Sequence, residues 1–361
     1  MAVGFPTKAN WAAGDILTAA QMDDLAGTVN TLANVPPRNA ILNSNFSVWQ
    51  RGTSFSLAAS TAYTSGFTAD RWQTATNANQ ACTISRQATG DTTNLPNIQY
   101  CLRYQRNSGQ TGTSTLYILQ NFETVNSVPF AGKAVTFSFY ARAGANYSAA
   151  SNALGFYVTS GTGTDQNYFS SYTGAAFNGG AATLTTTWAR YSATFTLSST
   201  MTEMCIVFAP TMSGTAGAAD YYEVTGIQID LGSTALPYRT YSATLAGELA
   251  ACQRYYWRNT SGATFGSMAL GFATSTTNTH FLVNCPVPMR ITPTGLDASN
   301  LNVSDYVSLS NAVTAAAIVA SESTNFCVRV DATTTGLTQY RPYGLRANNN
   351  TAAFIGLSAE L

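Results

Sequence analysis

Residues 220–239, DYYEVTGIQIDLGSTALPYR, constrain the fold more than any other stretch of the chain. From Tyr222 the run alternates. Tyr222, Val224, Gly226, Gln228 and Asp230 fall on one side, and Tyr221, Glu223, Thr225, Ile227, Ile229 and Leu231 on the other. Period-two alternation predicts a strand in a sheet with two unlike faces. Gly232 ends the run, and Pro237, with no N–H to donate, prevents a further central strand. The chain upstream, to about Ala40, reads as strands that need this last partner. The chain downstream reads as a second unit.

Further strands are expected at 81–86, 99–105, 115–122, 133–142, 153–160, 189–197 and 202–209, with turn-rich gaps between them. Many short strands with no long helical pattern predict a two-sheet sandwich of the jelly-roll kind. Beyond it, strands are expected at 265–274, 279–287, 306–310, 326–331 and 352–361. Pro286, Pro288 and Pro293 bracket Met289, Arg290 and Ile291, which marks an edge or a crossover.

Two short helices interrupt this pattern. Thr18 and Gln21 form a capping box, followed by Met22, Leu25, Val29 and Leu32 at spacings of three, four and three. Two heptads do not hold a helix alone in water, so this seam is either an oligomer contact or a face lying on its own domain. In residues 242–258, Leu245, Leu249, Cys252 and Tyr256 repeat the spacing, with Thr244 placed to cap. That segment is either an interdomain helix or a second seam. Val35, Pro36 and Pro37 make a linker. The expected fold class is therefore mainly β: an N-terminal helical docking segment (1–39), a jelly-roll β-sandwich (40–239), a short linking helix (240–258) and a C-terminal β-sandwich head (259–361).

Charge and cysteine usage narrow the function. Charged residues are 9% of the chain, against about 25% in an ordinary domain. With 45% hydrophobic residues this is not disorder but a surface of small polar side chains. Formal net charge is zero, so no field draws nucleic acid or an anionic membrane. The six cysteines form no CxxC pair and sit among apolar neighbours, which predicts buried free thiols rather than zinc ligands, with one or more disulfides as the alternative. Met1 to Ala20 hold no basic segment followed by an apolar run, so no signal peptide is expected, and no run suffices to span a membrane.

Chemistry is sparse. The carboxylates Asp70, Asp91, Glu123, Asp165, Glu203, Asp220, Glu223 and Asp230 belong to no catalytic motif. Asp70-Arg71-Trp72 reads as an ion pair bracing a loop over a buried tryptophan. His280, the single histidine, is expected inside a strand. No enzyme activity and no cofactor are expected. Asp220 is open to two readings, a calcium ligand or a turn aspartate. Aromatic residues, 12% of the chain, suggest sugar stacking at two places, with core packing or a subunit contact as the plain alternative. One is the Asn167–Tyr172 loop. The other, preferred, is near the C-terminus, with Tyr340, Arg341, Tyr343 and Arg346 as ligand contacts.

Several blocks carry a family resemblance: ILNSNFSVWQRGTSF from Ile41, FTADRWQ from Phe67, FAGKAVTFSFYARAGANYS from Phe130, TLTTTWARYSATFTL from Thr183, SGTAGAADYYEVTG from Ser213, then GIQIDLGSTALPYR. In this order they resemble the carbohydrate-binding-module-like jelly roll of many bacteriophage tail fibre proteins. NWAAGDILTAAQMDDLAGTVN near the N-terminus, and PVPMRITPT and AAFIGLSAEL near the C-terminus, resemble the ends of such fibres. The resemblance implies a homotrimeric virion tail protein, assembled in the host cytoplasm. It implies docking to tail or baseplate proteins through the N-terminus and attachment to a host-surface receptor, a glycan. Met22, Leu25, Val29 and Leu32 would then be the oligomerisation seam. Two alternatives stay open: a tailspike-type polysaccharide depolymerase, and a purely structural baseplate or decoration protein.

Overall fold

The computed structural model describes residues 38–60, 63–77 and 80–361, together with Met22. Twelve strands make the first sandwich: β1 (Ser54–Leu57), β2 (Tyr63–Phe67), β3 (Gln73–Asn77), β4 (Cys82–Ala88), β5 (Tyr100–Arg106), β6 (Leu116–Asn121), β7 (Ala134–Ala143), β8 (Ala153–Gly161), β9 (Ala176–Thr183), β10 (Ala189–Thr196), β11 (Glu203–Phe208) and β12 (Tyr221–Leu231). One sheet has the order β1-β4-β5-β12-β7-β10 and the other β2-β3-β6-β11-β8-β9, and every pair is antiparallel. Alternation fills the space between them. Val135, Phe137, Phe139 and Ala141 of β7 meet Phe156 and Val158 of β8 and Ile206 and Phe208 of β11. Phe139 and Phe208 lie edge to face at 4.8 Å, a favoured arrangement for aromatic pairs.

β12 is the organising strand, between β5 and β7, but its simple alternation fails. Tyr222, Val224, Ile227 and Ile229 all enter one core, although the first two and the last two were expected on opposite sides. The register against β7 shifts between Thr225 and Gln228. Gly226 sits at φ +56°, a β-bulge that inserts one residue and inverts the phase. The outward face of β12 therefore carries Glu223, Thr225, Gln228 and Asp230. Glu223 is paired with Arg103 (2.7 Å) and Arg142.

The remaining strands are β13 (Tyr256–Thr260), β14 (Ser267–Ala273), β15 (Asn278–Asn284), β16 (Gly295–Ser299), β17 (Leu301–Ser304), β18 (Ser310–Ala312), β19 (Ala315–Ile318), β20 (Cys327–Thr333), β21 (Pro342–Ala347) and β22 (Phe354–Ser358). They form a three-stranded sheet, β13-β22-β16, and a seven-stranded sheet, β18-β17-β21-β14-β15-β20-β19. Phe281, Val328, Val330 and Leu345 of the large sheet meet Ile355 and Leu357 of the small one. The fold class is thus mainly β, with several antiparallel sheets stacked as sandwiches and few helices. Residues 306–308 are a loop rather than the expected strand, because the Asp305 carboxylate accepts the N–H groups of Val307, Ser308 and Leu309 at 2.8–2.9 Å.

α1 (Thr124–Ser127) is a single turn, and α2 (Leu245–Gln253) is shorter than the expected segment because β13 starts at Tyr256. Thr244 caps α2 by accepting from Gly247 N at 3.2 Å. Leu245 points out while Cys252 and Glu248 are buried, so the helix lies on its own chain and its four apolar positions share no seam. Of the N-terminal seam, Met22 is helical and half exposed, while Leu25, Val29 and Leu32 lie outside the described residues. All six cysteines are free thiols, and five are buried. Among the described residues, no helix is long and apolar enough to cross a membrane.

Candidate functional site

The second sheet of the first sandwich carries an aromatic outer face. β11 is buried along its whole length. Met204, Ile206 and Phe208 face the core, while Cys205 and Val207 face the other way. A strand buried on both sides needs a cover, and the loop between β8 and β9 supplies it. Tyr168, Phe169 and Tyr172 of that loop close over Leu119, Cys205 and Val207, beside Tyr117 of β6 and Tyr157 of β8. Phe169 meets Tyr117 edge-on at 5.9 Å and Tyr168 at 5.4 Å, and Tyr168 meets Tyr172 at 6.3 Å.

Three polar side chains hold this loop in one shape. The buried Glu203 carboxylate accepts Gly163 N (3.2 Å) and Gln166 N (2.9 Å). Asn121 accepts Tyr168 N at 2.9 Å and lies 3.0 Å from the Tyr172 hydroxyl, which also reaches the Met204 carbonyl at 3.0 Å. Asn167 accepts Phe169 N at 2.9 Å and donates to Gln73 (3.1 Å) and to the Leu361 carbonyl (2.6 Å). The rings are therefore placed before any ligand arrives, which removes part of the ordering cost of binding.

On β8 and β9 the cross-strand pairs are Tyr157 with Gly179 and Thr159 with Phe177. A Cβ at Gly179 would stand 2.2 Å from Tyr157 Cδ1, so the ring lies down across the glycine instead of standing off the sheet. Phe177, next along the edge, is exposed. Burial pushes the Tyr168 phenol up to about 12, with Cys205, Tyr117 and Tyr157 adding to the shift. At neutral pH its hydroxyl is a neutral donor and acceptor. The shelf offers stacking faces and hydroxyls, the means of holding a polyol with apolar C–H faces.

The four C-terminal residues predicted to contact ligand do not share a surface. Tyr340 is 76% exposed. Tyr343 is 3% exposed and belongs to the second core, its hydroxyl accepting Thr338 N at 3.0 Å. Residues three apart on a strand face opposite ways, so Tyr343 turns inward while Arg346 turns outward. Arg341 pairs with Asp305 at 2.9 Å. Arg346 donates to Asn302 and Ser310 and lies over the Phe265 and Tyr306 rings. Both arginines thus hold the 305–307 loop. The Asn167–Tyr172 loop, the less favoured of the two sequence choices, is the one that joins an aromatic surface. Tyr157 had no sequence signal beyond strand alternation, and Phe177 lies in β9, outside the expected strands.

Carboxylates elsewhere are committed to structure. Asp70 and Arg71 do not pair with each other. Asp70 accepts the Gln50 backbone (2.7 Å) and side chain (2.5 Å), and burial raises its pKa above the usual carboxylate range. Arg71 reaches Glu360, while Trp72 donates to the Asn43 carbonyl at 3.0 Å. Asp220 is taken by Arg106. His280 lies in β15, 3.3 Å from Asp331. Among the described residues, no three His, Cys, Asp or Glu side chains gather to hold a metal ion. A groove of about 390 Å³ beside α2 is lined by Gln120, Glu123, Arg254 and Tyr255. Its charges are already paired, Glu123 with Arg254 at 2.8 Å and with the Tyr255 hydroxyl.

No protein-family model matches the chain, and no curated relative does. Solved structures with a likeness include a carbohydrate-binding module of the β-sandwich superfamily, 14% identical over 45% of this chain and 58% of that one, TM-score 0.33. Another is the enzymatically active domain of tailspike protein 4 from bacteriophage CBA120, 11% identical over 54% of this chain and 21% of that one, TM-score 0.32. The family 11 module from Clostridium thermocellum, in complex with a β-1,3-1,4-mixed-linked tetrasaccharide, is 13% identical over 49% of this chain and 98% of that one, TM-score 0.28. The chain thus spans 58% and 21% of the first two. At these identities and TM-scores no residue's role transfers from them.

Proposed function

We propose that this chain is an adhesin that holds a glycan on the aromatic shelf of the β2-β3-β6-β11-β8-β9 sheet, without turnover. The observation that carries the reading is the shelf itself. Tyr157 and Phe177 lie on an outward sheet face, where a sandwich ordinarily places polar side chains. Tyr168 joins them from the β8–β9 loop, which is anchored through Glu203, Asn121 and Asn167. The carboxylate beneath the shelf, Glu203, is buried and spent on two backbone amides, which favours binding over hydrolysis.

The finer reading is a bacteriophage tail fibre, homotrimeric, docked through residues 1–39 to the tail or baseplate and carried in the virion. Its support is the ordered set of sequence blocks between Ile41 and Arg239 and the low-charge surface. The test is binding of the full chain to an array of bacterial surface polysaccharides, followed by titration with the best hit. Tyr157→Ala and Phe177→Ala should each weaken that binding by about tenfold or more while the fold is kept. Unchanged affinity in both variants would remove the shelf from the proposal, and release of reducing sugar would replace the adhesin with an enzyme.

A further inference from the structure

A groove of about 460 Å³ opens between the first sandwich and the start of α2, within the size range of small-ligand sites. Three segments line it: the turn at 43–48, the loop at 95–100 that leads into β5, and residues 240–248. Tyr100 starts β5, in the sheet that does not carry the aromatic shelf.

The frame of this groove is fixed. Asn43 Oδ1 accepts Val48 N (2.9 Å), and its Nδ2 donates to the carbonyls of Val48 (2.8 Å) and Asp70 (3.0 Å). Ser44 Oγ lies 2.8 Å from the Tyr238 hydroxyl, and the Ser44 carbonyl accepts Ile227 N at 3.1 Å. Asn43 at φ +49° and Phe46 at φ +53° hold a left-handed backbone, which persists where the surroundings over-determine it. On the 95–100 loop, Leu95 and Ile98 are buried with Cys101 and Trp188, which leaves Pro96, Asn97 and Gln99 exposed. The Arg86 guanidinium lies 4.6 Å over the Tyr100 ring and holds it in place.

The groups left over are neutral and polar. Asn45 Oδ1 is buried and accepts from no group among the described residues. A buried acceptor costs free energy until a donor reaches it. Ser47, Asn97, Gln99 and Tyr100 add hydroxyl and amide groups with no hydrogen-bond partner among the described residues. Glu248 is the one carboxylate on the wall among those residues, and it is spent on Asn43 N (2.5 Å) and Ser242 N (3.0 Å). A protein partner needs a desolvated pocket for an anchor side chain. Here the larger apolar residues, Pro96 and Leu245, stand exposed at the rim. Neutral donors and acceptors on a rigid frame are the complement of a polyol.

We infer that this groove holds a neutral saccharide, as a second binding site separate from the shelf. Asn45 Oδ1 accepts a sugar hydroxyl, and the side chains of Asn97, Gln99 and Tyr100 bond the hydroxyls beside it. The inference goes beyond the proposed function and uses none of the shelf residues. Two sites on one protomer raise avidity for a repeating polysaccharide with no new contact at either.

The test is saturation-transfer NMR on the full chain with maltose, cellobiose, lactose and N,N′-diacetylchitobiose as probes. Asn45→Ala and Gln99→Ala each remove an amide that makes no bond within the fold. Gln99 is exposed, so its variant keeps the circular dichroism spectrum of the unaltered chain. Tyr157→Ala with Phe177→Ala alters the shelf alone. The expected result is a probe that still binds the shelf variant, and whose affinity falls about fivefold or more in each groove variant. No transfer to any probe, or transfer that both groove variants leave unchanged, overturns the inference. It is overturned as well if every probe that binds is lost in the shelf variant and kept in the groove variants. A probe held at the groove by a chain whose shelf binds nothing supports this site and removes only the shelf.

Discussion

Arg106 and Asp220 face each other between β5 and β12, Nη2 2.8 Å from Oδ2, and neither side chain reaches solvent. The same guanidinium donates to the carbonyls of Gly112 (2.8 Å), Ser213 (3.0 Å) and Gly214 (2.9 Å) and to Ser148 Oγ (3.2 Å). One fixed cation thus ties three loops to one end of the first sandwich. Asp220 also accepts Ser148 N (3.0 Å) and Oγ (2.9 Å), so the carboxylate that the sequence offered as a calcium ligand is occupied by an arginine.

Arg106→Met would leave that carboxylate buried without a charge partner, held only by Ser148, and would strip the guanidinium from three carbonyls. The expected cost is about 3–5 kcal/mol, because removing one partner of a buried ion pair strands the other. It should appear as a lower urea midpoint at unchanged m. A shift worth less than about 1 kcal/mol would mean that water takes the place of the guanidinium.

Gly226 joins the two halves of β12. Its φ of +56° is a backbone conformation that side chains disfavour, and a Cβ there would stand 2.8 Å from both Ile98 Cδ1 and Tyr140 Cδ2. Gly226→Ala should destabilise by roughly 1–3 kcal/mol, checked by thermal melting. A neutral outcome would mean that the bulge can relax, and the phase inversion along β12 would then need another cause.

That bulge also marks where the sequence stops being legible. Alternation located β7, β10 and β12 correctly, because each has one face in a core. It could not reveal that Ile227 and Ile229 join Tyr222 and Val224, since one inserted residue reverses every later position and leaves only a glycine as its sign. The site shows the same division. The Asn167–Tyr172 aromatics were visible as a loop motif, but Tyr157 and Phe177 gain meaning only when β8 pairs with β9. Tyr343 looked like part of a ligand motif until strand geometry turned it inward. Long-range ionic pairs such as Arg71 with Glu360 have no local signature at all.

Glu360 ties the end of the chain to the first sandwich. Its carboxylate pairs with Arg71 and, at 3.4 Å, with Arg51, while Arg71 also donates to the Asn121 carbonyl at 2.7 Å. Gln50 reaches the Tyr256 carbonyl at 2.7 Å beside it. Glu360→Gln leaves the buried Arg71 without its charge partner, an expected loss on the order of 3 kcal/mol. Faster hydrogen exchange at β13 and β22, with β7 and β12 unchanged, would place the loss at this contact. Uniform acceleration across both sandwiches would show that they unfold as one unit.

Tyr168 makes alkaline stability readable. Burial raises its phenol to about 12 in the folded chain, above the value near 10 of a free tyrosine. The unfolded chain therefore releases this proton first. The stabilising contribution is complete below about pH 10 and is lost as pH rises through about 12. In Tyr168→Phe, absorbance titration at alkaline pH should lack one late-ionising phenol. The variant's stability should also fall less steeply over that window. A missing phenol that titrates near 10 would show that the loop opens before it ionises.

Gly179 separates folding from binding at the shelf. It lies on β9, an edge strand, and its pairing with Tyr157 uses backbone groups that any residue supplies. A side chain there collides with the Tyr157 ring, at 2.2 Å from Cδ1 and 2.7 Å from Cε1, so the ring must stand up from the sheet. Gly179→Val puts a residue of high strand propensity at an edge position, where the strand itself should be kept. The expected outcome is a thermal midpoint close to that of the unaltered chain with glycan affinity reduced by about tenfold or more. Tyr157→Ala in the same background should add little, because both changes remove the same stacking surface and so are not independent. Full additivity of the two losses would mean that Gly179 acts elsewhere and that the ring lying across it is not what the ligand meets.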